Sequence, residues 1–235
     1  MQNMEFREFP SRDALAGALA EHVRECLARA IGERGRAVLA VSGGSTPVRF
    51  FQALSKLDLP WEQVTIILVD ERMVPETHDR SNAKLVRENL LQNAAAKAFF
   101  VPMYSGGFDE GDAADRIETV MKRARLTKPD FTILGMGNDG HTASFFPKGD
   151  HLADAIDPEQ NAIVLPMHAE GAGETRLTLT LPVLLASGQL ALHIEGSGKR
   201  EVLSRALSAE SRAKTMPIRA VFEGAKRPVS VFWAP

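Results

Sequence analysis

Three observations predict an α/β fold. Strand-like and helix-like segments alternate along the chain. The strand-like runs, such as AVLAV at 37–41 and VTIILV at 64–69, are apolar nearly throughout rather than at every second position. Such strands are buried on both faces, which implies a largely parallel sheet covered by helices. Polar segments, most of them bearing glycine, follow these runs directly, at the strand ends where open α/β sheets bind their ligands.

The elements follow in order. Ser11 caps a helix in which Leu15, Leu19, Val23, Cys26, Leu27, Ala30 and Ile31 recur at helical spacing, and IGERGR ends it. AVLAV is the first buried strand. SGGSTP (42–47) turns the chain into the helix VRFFQALSKL, with Pro47 suited to its first turn. VTIILV is the next strand and ends in DER (70–72). Ser81 caps SNAKLVRENLLQN, and DAADRIETVMKRARL is a further helix. FTILGMG (131–137) is a strand running into glycine. NAIVLP and GQLALHIEG read as strands, GKREVLSRAL as a helix and VSVFWA as the last strand. No repeat, low-complexity tract or linker interrupts this order. The prediction is one Rossmann-like domain over 1–235, with a mostly parallel sheet flanked by helices on both faces.

Composition narrows the function classes. The 235 residues are 44% hydrophobic and 25% charged, enough for a full globular core. A net charge of −2 argues against a nucleic-acid partner but leaves room for a local basic site. A single cysteine, Cys26, leaves no intramolecular disulfide and fits a reducing compartment. The charged start MQNMEFREFPSRD lacks the apolar core of a signal peptide. No run reaches the ~18 apolar residues of a spanning helix. A cytoplasmic protein with no membrane partner is expected.

GMGNDGHTAS (135–144) contains Gly-x-Gly-x-x-Gly, the dinucleotide fingerprint. That motif also needs a helix after it and an acidic residue at the end of the next strand. Pro147 stops any helix early, and Asp157 and Glu159 precede the next strand rather than end it. The nucleotide reading fails there. EGSGKR fails as a P-loop, because His193 and Arg200 stand where glycine and Ser or Thr are required. Lys199 can still meet a phosphate as a point charge.

SGGSTP carries a stronger phosphate signal. Gly43 and Gly44 allow close backbone approach, Ser42, Ser45 and Thr46 offer hydroxyls, and a helix start follows. In DER, Asp70 and Arg72 alternate with Glu71 and face one way. Arg176, in TRLTLT, reads by itself as a solvated edge residue. His141 lies just past a glycine turn beside Asp139, and a histidine can serve as a neutral base near physiological pH. His22, His78, His151, His168 and His193 show no ligand spacing, so no metal is expected.

Together these segments resemble a known family. SGGSTP, DERMVPETHDRSN, GMGNDGHTASFFP, TRLTLT and GSGKRE occur in the order seen in 6-phosphogluconolactonases, most strongly over 37–207. The related glucosamine-6-phosphate deaminases continue after Asp-Gly-His with an Ala-Phe-Asn-Glu-Pro pattern that this chain lacks. Lys148 separates Pro147 from Gly149, which many members join directly. The resemblance implies hydrolysis of a sugar-phosphate lactone, 6-phospho-D-glucono-1,5-lactone, by a monomer or homodimer without a cofactor. It implies His141 as the general base, Asp139 as its orienting partner, and Arg72 as a cation at the lactone carbonyl or the phosphate. Ser42, Gly43, Gly44, Ser45, Thr46, Arg176 and Lys199 are then the phosphate cradle, and Asp70 holds the sheet rim or a sugar hydroxyl.

Overall fold

The computed structural model describes residues 3–210 and 215–235. Seven strands form one parallel sheet: β1 (Met4–Glu8), β2 (Ala37–Val41), β3 (Val64–Leu68), β5 (Phe99–Val101), β6 (Phe131–Leu134), β9 (Gln189–Glu195) and β10 (Val229–Ala234). Their spatial order is β1-β10-β9-β6-β2-β3-β5, and every pairing is parallel. β2 and β6 are buried at every residue, as their predominantly apolar runs predict.

Helices flank this sheet. α1 (Arg12–Arg34) starts at Ser11, whose hydroxyl accepts from the Ala14 N–H at 3.2 Å. It ends at Gly35, which takes a left-handed φ of 71° and donates to Ile31 O. α1 packs on β2, β6 and β10 and against α2 (Val48–Leu54). The other helices are α3 (Asn82–Asn89), α4 (Glu110–Arg123), α5 (Leu152–Ala155), α6 (Leu181–Leu185), α7 (Ser197–Ala206) and α8 (Ile218–Gly224). A continuous hydrophobic cluster runs from Leu15 to Ala234. No helix among the described residues is long and apolar enough to cross a membrane.

Three strands leave the main sheet. β4 (Asp70–Arg72), β8 (Arg176–Leu179) and β7 (Val164–Met167) form a small antiparallel sheet in the order β4-β8-β7. The run NAIVLP thus supplies an edge strand of this second sheet. Pro166 has no N–H to donate, which suits an edge rather than the middle of the parallel sheet. β1 was hidden by its charges: MEFRE is a half-exposed edge strand beside β10, not a buried run.

The strand order places the site. From β2 the chain proceeds to β3 and β5 on one side, whereas β6, β9 and β10 lie on the other. The boundary between β2 and β6 is a switch point, where ligands bind beyond the strand carboxyl ends. SGGSTP follows β2, DER follows β3, GMGNDGH follows β6 and EGSGK follows β9. These four strands are adjacent in the sheet.

Gly35→Ala tests the end of α1. No atom lies within 4 Å of a Cβ built there, so the cost is purely conformational. A non-glycine left-handed residue costs about 1–2 kcal/mol. The melting temperature is expected to fall by about 2–4 °C per kcal/mol, and an unchanged thermal denaturation curve would contradict the cap.

Candidate active site

Two closed turns flank the switch point. Ser42 donates its hydroxyl to Ile133 O at 3.0 Å and accepts from the Gly135 N–H at 3.2 Å. Its own N–H goes to Ile133 O as well. Ser42 therefore stitches β2 to β6, and its hydroxyl proton is spent, so the hydroxyl expected to face a phosphate does not offer a donor. Beyond it, the N–H groups of Gly43, Gly44, Ser45 and Thr46 have no partner among the described residues. Gly44 sits at φ 90°. α2 has only seven residues, so these loop N–H groups supply the anion-binding capacity more than a helix dipole does.

The second turn carries His141. Gly137 N–H donates to His141 O at 2.8 Å, and Thr142 donates its hydroxyl to Gly135 O at 2.8 Å. Gly140, at φ 80°, gives its carbonyl to the Ile218 N–H and packs under Met216. Gly137 must lack a side chain, because a Cβ there would collide with the His141 ring and Asp139. The Asp139 carboxylate lies 2.6 Å from His141 Nδ1 and also accepts the His141 N–H. Burial pushes the Asp139 carboxyl up, but its hydrogen bonds with His141 outweigh that and hold it below the usual carboxylate range. The His141 ring packs on Phe146, centroids 4.6 Å apart.

Beyond His141 the chain is pinned to the small sheet. Ala143 takes a left-handed φ of 47° without being glycine. Ser144, fully buried, donates to Asp70 Oδ2 at 2.7 Å. The loop that Lys148 lengthens closes through Lys148 itself, at φ 63°, and through Asp150. Asp150 accepts the His168 N–H at 2.8 Å and lies 2.8 Å from His168 Nδ1, while Glu110 meets the other ring nitrogen at 2.9 Å.

The cationic wall comes from β4 and β8. Arg72 and Arg176 are direct cross-strand partners. Like charges so placed repel. Arg176 is 5% exposed, so its expected solvated edge position is wrong: the small sheet and the 171–173 turn cover it. Burial pulls its guanidinium down from the ordinary arginine value, Asp70 opposes this and Arg72 adds to it. Arg176 Nη2 donates to Ala172 O at 2.8 Å, and its guanidinium lies over the Phe146 ring at 5.5 Å. Arg72 donates through Nη1 to Asn82 Oδ1 and Arg80 O, both at 2.7 Å. The Nε atoms of both arginines are buried without a partner.

Asp70 faces the same cavity as Arg72, and Glu71 points away, as their alternation requires. Glu71 instead binds the start of α3, accepting the N–H groups of Asn82 and Ala83 at 2.7 Å each and the Ser81 hydroxyl at 3.2 Å. Ser42, Gly43, Gly44, Ser45, Thr46, Asp70, Arg72, His141 and Arg176 all line one cavity of about 340 Å³. Asp139 and Lys199 do not line it. Lys199 lies behind the histidine turn and donates to Met136 O at 2.7 Å. Burial lowers its ammonium's value and Asp139 opposes the shift. Asn82, Phe146 and His193 also line the cavity and were not singled out from the sequence. Only the Ser-Asn pair after DER hinted at Asn82, Phe146 lay inside the GMGNDGHTASFFP motif, and His193 read as a strand residue.

Fold and site define an open α/β protein that aims an imidazole and two guanidiniums into a cleft at its switch point. The chain belongs to the family described as glucosamine-6-phosphate isomerases/6-phosphogluconolactonase, whose model matches residues 10–233. It is 53% identical to a 6-phosphogluconolactonase of Mesorhizobium japonicum over 97% of this chain and 94% of that protein. It is 52% identical to a 6-phosphogluconolactonase of Rhizobium meliloti, over 99% of both chains. A 6-phosphogluconolactonase crystal structure from Shewanella baltica superposes with a TM-score of 0.93 at 38% identity, covering 100% of both chains.

Two outcomes follow from this geometry. Gly137→Ala is expected to displace the His141 ring and lower turnover about 10²-fold, the scale of an ångström-sized misplacement, in a protein that circular dichroism shows folded; full activity would contradict the packing. The Asp150 hydrogen bond, with Glu110 adding to it, raises His168 above its ordinary value, so the protonated ring stabilises the folded state. That contribution is complete below the unfolded value of about 6.5 and disappears as pH rises through the higher folded value. The melting-temperature advantage of wild type over His168→Gln is therefore expected to be largest near about pH 6 and to shrink on titration with base.

Proposed function

We propose that the chain, acting as a single domain, hydrolyses 6-phospho-D-glucono-1,5-lactone to 6-phosphogluconate. The observation that carries this reading is the opposed pair Arg72 and Arg176, each with an unpaired buried Nε, in the cavity that holds His141. Two guanidiniums facing each other in a cleft call for an anion between them, and a phosphate dianion supplies two charges.

The mechanism follows from the residues. The Asp139 carboxylate accepts a proton-bearing Nδ1, which leaves Nε2 as the basic nitrogen of His141. Nε2 takes a proton from water as the water oxygen attacks the lactone carbonyl carbon. The tetrahedral intermediate collapses with cleavage of the bond from that carbon to the ring oxygen. The imidazolium returns its proton to the departing oxygen, which becomes a hydroxyl, and the new carboxylic acid ionises into solvent. Arg72 and the free N–H groups of Gly43, Gly44, Ser45 and Thr46 grip the phosphate. Arg176, cross-strand to Arg72 and packed on Phe146, grips the same phosphate from the other side. Asp70, held by Ser144, receives a sugar hydroxyl, and Lys199 supports the histidine turn from behind.

A deaminase on the same fold is the second reading. The segment after His141 favours the lactonase, since Ser144, Phe145 and Phe146 stand before Pro147 where the deaminase pattern carries Phe, Asn and Glu.

The test generates the lactone in place from glucose 6-phosphate, NADP and a limiting pulse of dehydrogenase, then follows its decay. Wild-type protein is expected to accelerate decay, and His141→Ala to lose about 10²- to 10⁴-fold of that, the usual worth of a general base. Decay at the spontaneous rate with wild-type protein, or ammonia release from glucosamine 6-phosphate, would overturn the proposal.

A further inference from the structure

Asn82 sits where three parts of the cavity meet. It is the first residue of α3 and is 1% exposed. Its place is set from below, because its N–H is bound by the buried carboxylate of Glu71 on the opposite face of β4. Its side-chain Nδ2 donates to Asp70 O at 2.8 Å. Its Oδ1 accepts from Arg72 Nη1 at 2.7 Å. Its amide also occupies the space that a Cβ on Gly43 would need. One amide thus touches the strand bearing Asp70, the guanidinium of Arg72 and the loop with the free N–H groups.

The consequence for Arg72 is specific. A guanidinium presents its donors on distinct edges, and the edge formed by Nε and Nη2 matches two oxygens of a phosphate side by side. Asn82 Oδ1 and Arg80 O both take Nη1. Nε is buried without a partner, and Nη2 has none among the described residues. The bonds to Nη1 therefore hold the guanidinium in one orientation on the cavity wall, with Nη2 left as the open donor. An arginine free to rotate would offer that donor only part of the time and would lose rotamer freedom on binding.

We propose that Asn82 is a positioning residue, which fixes Arg72 in the one orientation that presents its open Nη2 to a phosphate group held by the loop at Gly43. This rests on the lactonase reading for the identity of the substrate, but not for the anion. Asn82 touches no reacting atom; it acts through Arg72.

A double-mutant cycle tests it. Asn82→Ala is expected to raise KM for the lactone about tenfold with kcat changed by less than about threefold, and to weaken inorganic phosphate binding by a similar factor. In an Arg72→Ala background the same change is expected to do almost nothing, because the group it positions is gone. Losses that multiply in the double variant would overturn the proposal, as would a fall in kcat at constant KM. Gly43→Ala provides a second route. Gly43 is outside the left-handed region, so alanine is tolerated conformationally, and the three atoms nearest its Cβ all belong to the Asn82 side chain. It is expected to reproduce the rise in KM alone and to add nothing once Asn82→Ala has vacated the space. Additive effects there would also contradict the idea. Phosphate binding measured by calorimetry separates the two readings. Wild-type protein that binds phosphate with this non-additivity but leaves the lactone untouched removes the proposed reaction and keeps the role of Asn82.

Discussion

Two guanidiniums stand opposite each other on adjacent strands, and much of the site is arranged around that unfavourable pairing. Arg72 and Arg176 are cross-strand neighbours in a small sheet, one of them buried, with Asp70 as the nearby carboxylate. Burying a charge costs several kcal/mol unless it is paired. The hydrogen bonds to Asn82, Arg80 O and Ala172 O offset part of that cost. They leave the Nε of each arginine without a partner. On the proposed reading, free energy spent on holding the two charges together is returned when a phosphate bridges them.

The remaining parts of the site are placed by the parallel sheet. Ser42 ties β2 to β6 at the switch point, so the Gly43–Thr46 loop and the histidine turn share a boundary. Ser144 ties the end of that turn to Asp70, and Glu71 ties α3 to the other face of β4. The Ser42 and Ser144 ties join elements far apart in sequence, and the Glu71 tie fixes α3 on the strand that precedes it. These ties hold His141, the Gly43–Thr46 loop and the arginines in fixed relation, which the proposed reaction requires of its water, carbonyl and phosphate.

Much of this was legible in the residues. Predominantly apolar runs identify β2, β3, β6, β9 and β10, because strands buried on both faces carry few polar positions. The caps Ser11, Ser81 and Gly35 bound their helices through local hydrogen bonds that the sequence spells out. His141 with Asp139 was legible for the same reason, since their contact spans two residues. Other features depended on distant partners. β1 hides among charges because only β10 makes it a strand. Pro166 sits in a run that looks like core but belongs to an edge. Arg176 looks solvated until Arg72 and Phe146 are folded against it. Asn82 looks like part of a helix start, and its contacts with Arg72 and Gly43 arise only when α3 meets β4. The hydroxyl of Ser42 suggests a phosphate ligand until β6 claims it.

The measurement that bears most directly on this account is the thermal stability of Arg176→Met with and without 6-phosphogluconate. If the two guanidiniums are held together for a ligand, removing one relieves repulsion and buried charge in the empty protein. The variant then melts at or above the wild-type temperature without ligand and gains little when 6-phosphogluconate is added, whereas the wild type gains strongly. A variant that melts several degrees lower yet keeps its ligand-induced stabilisation would show that Arg176 is a structural residue, and that the opposed arginines are not the anion site.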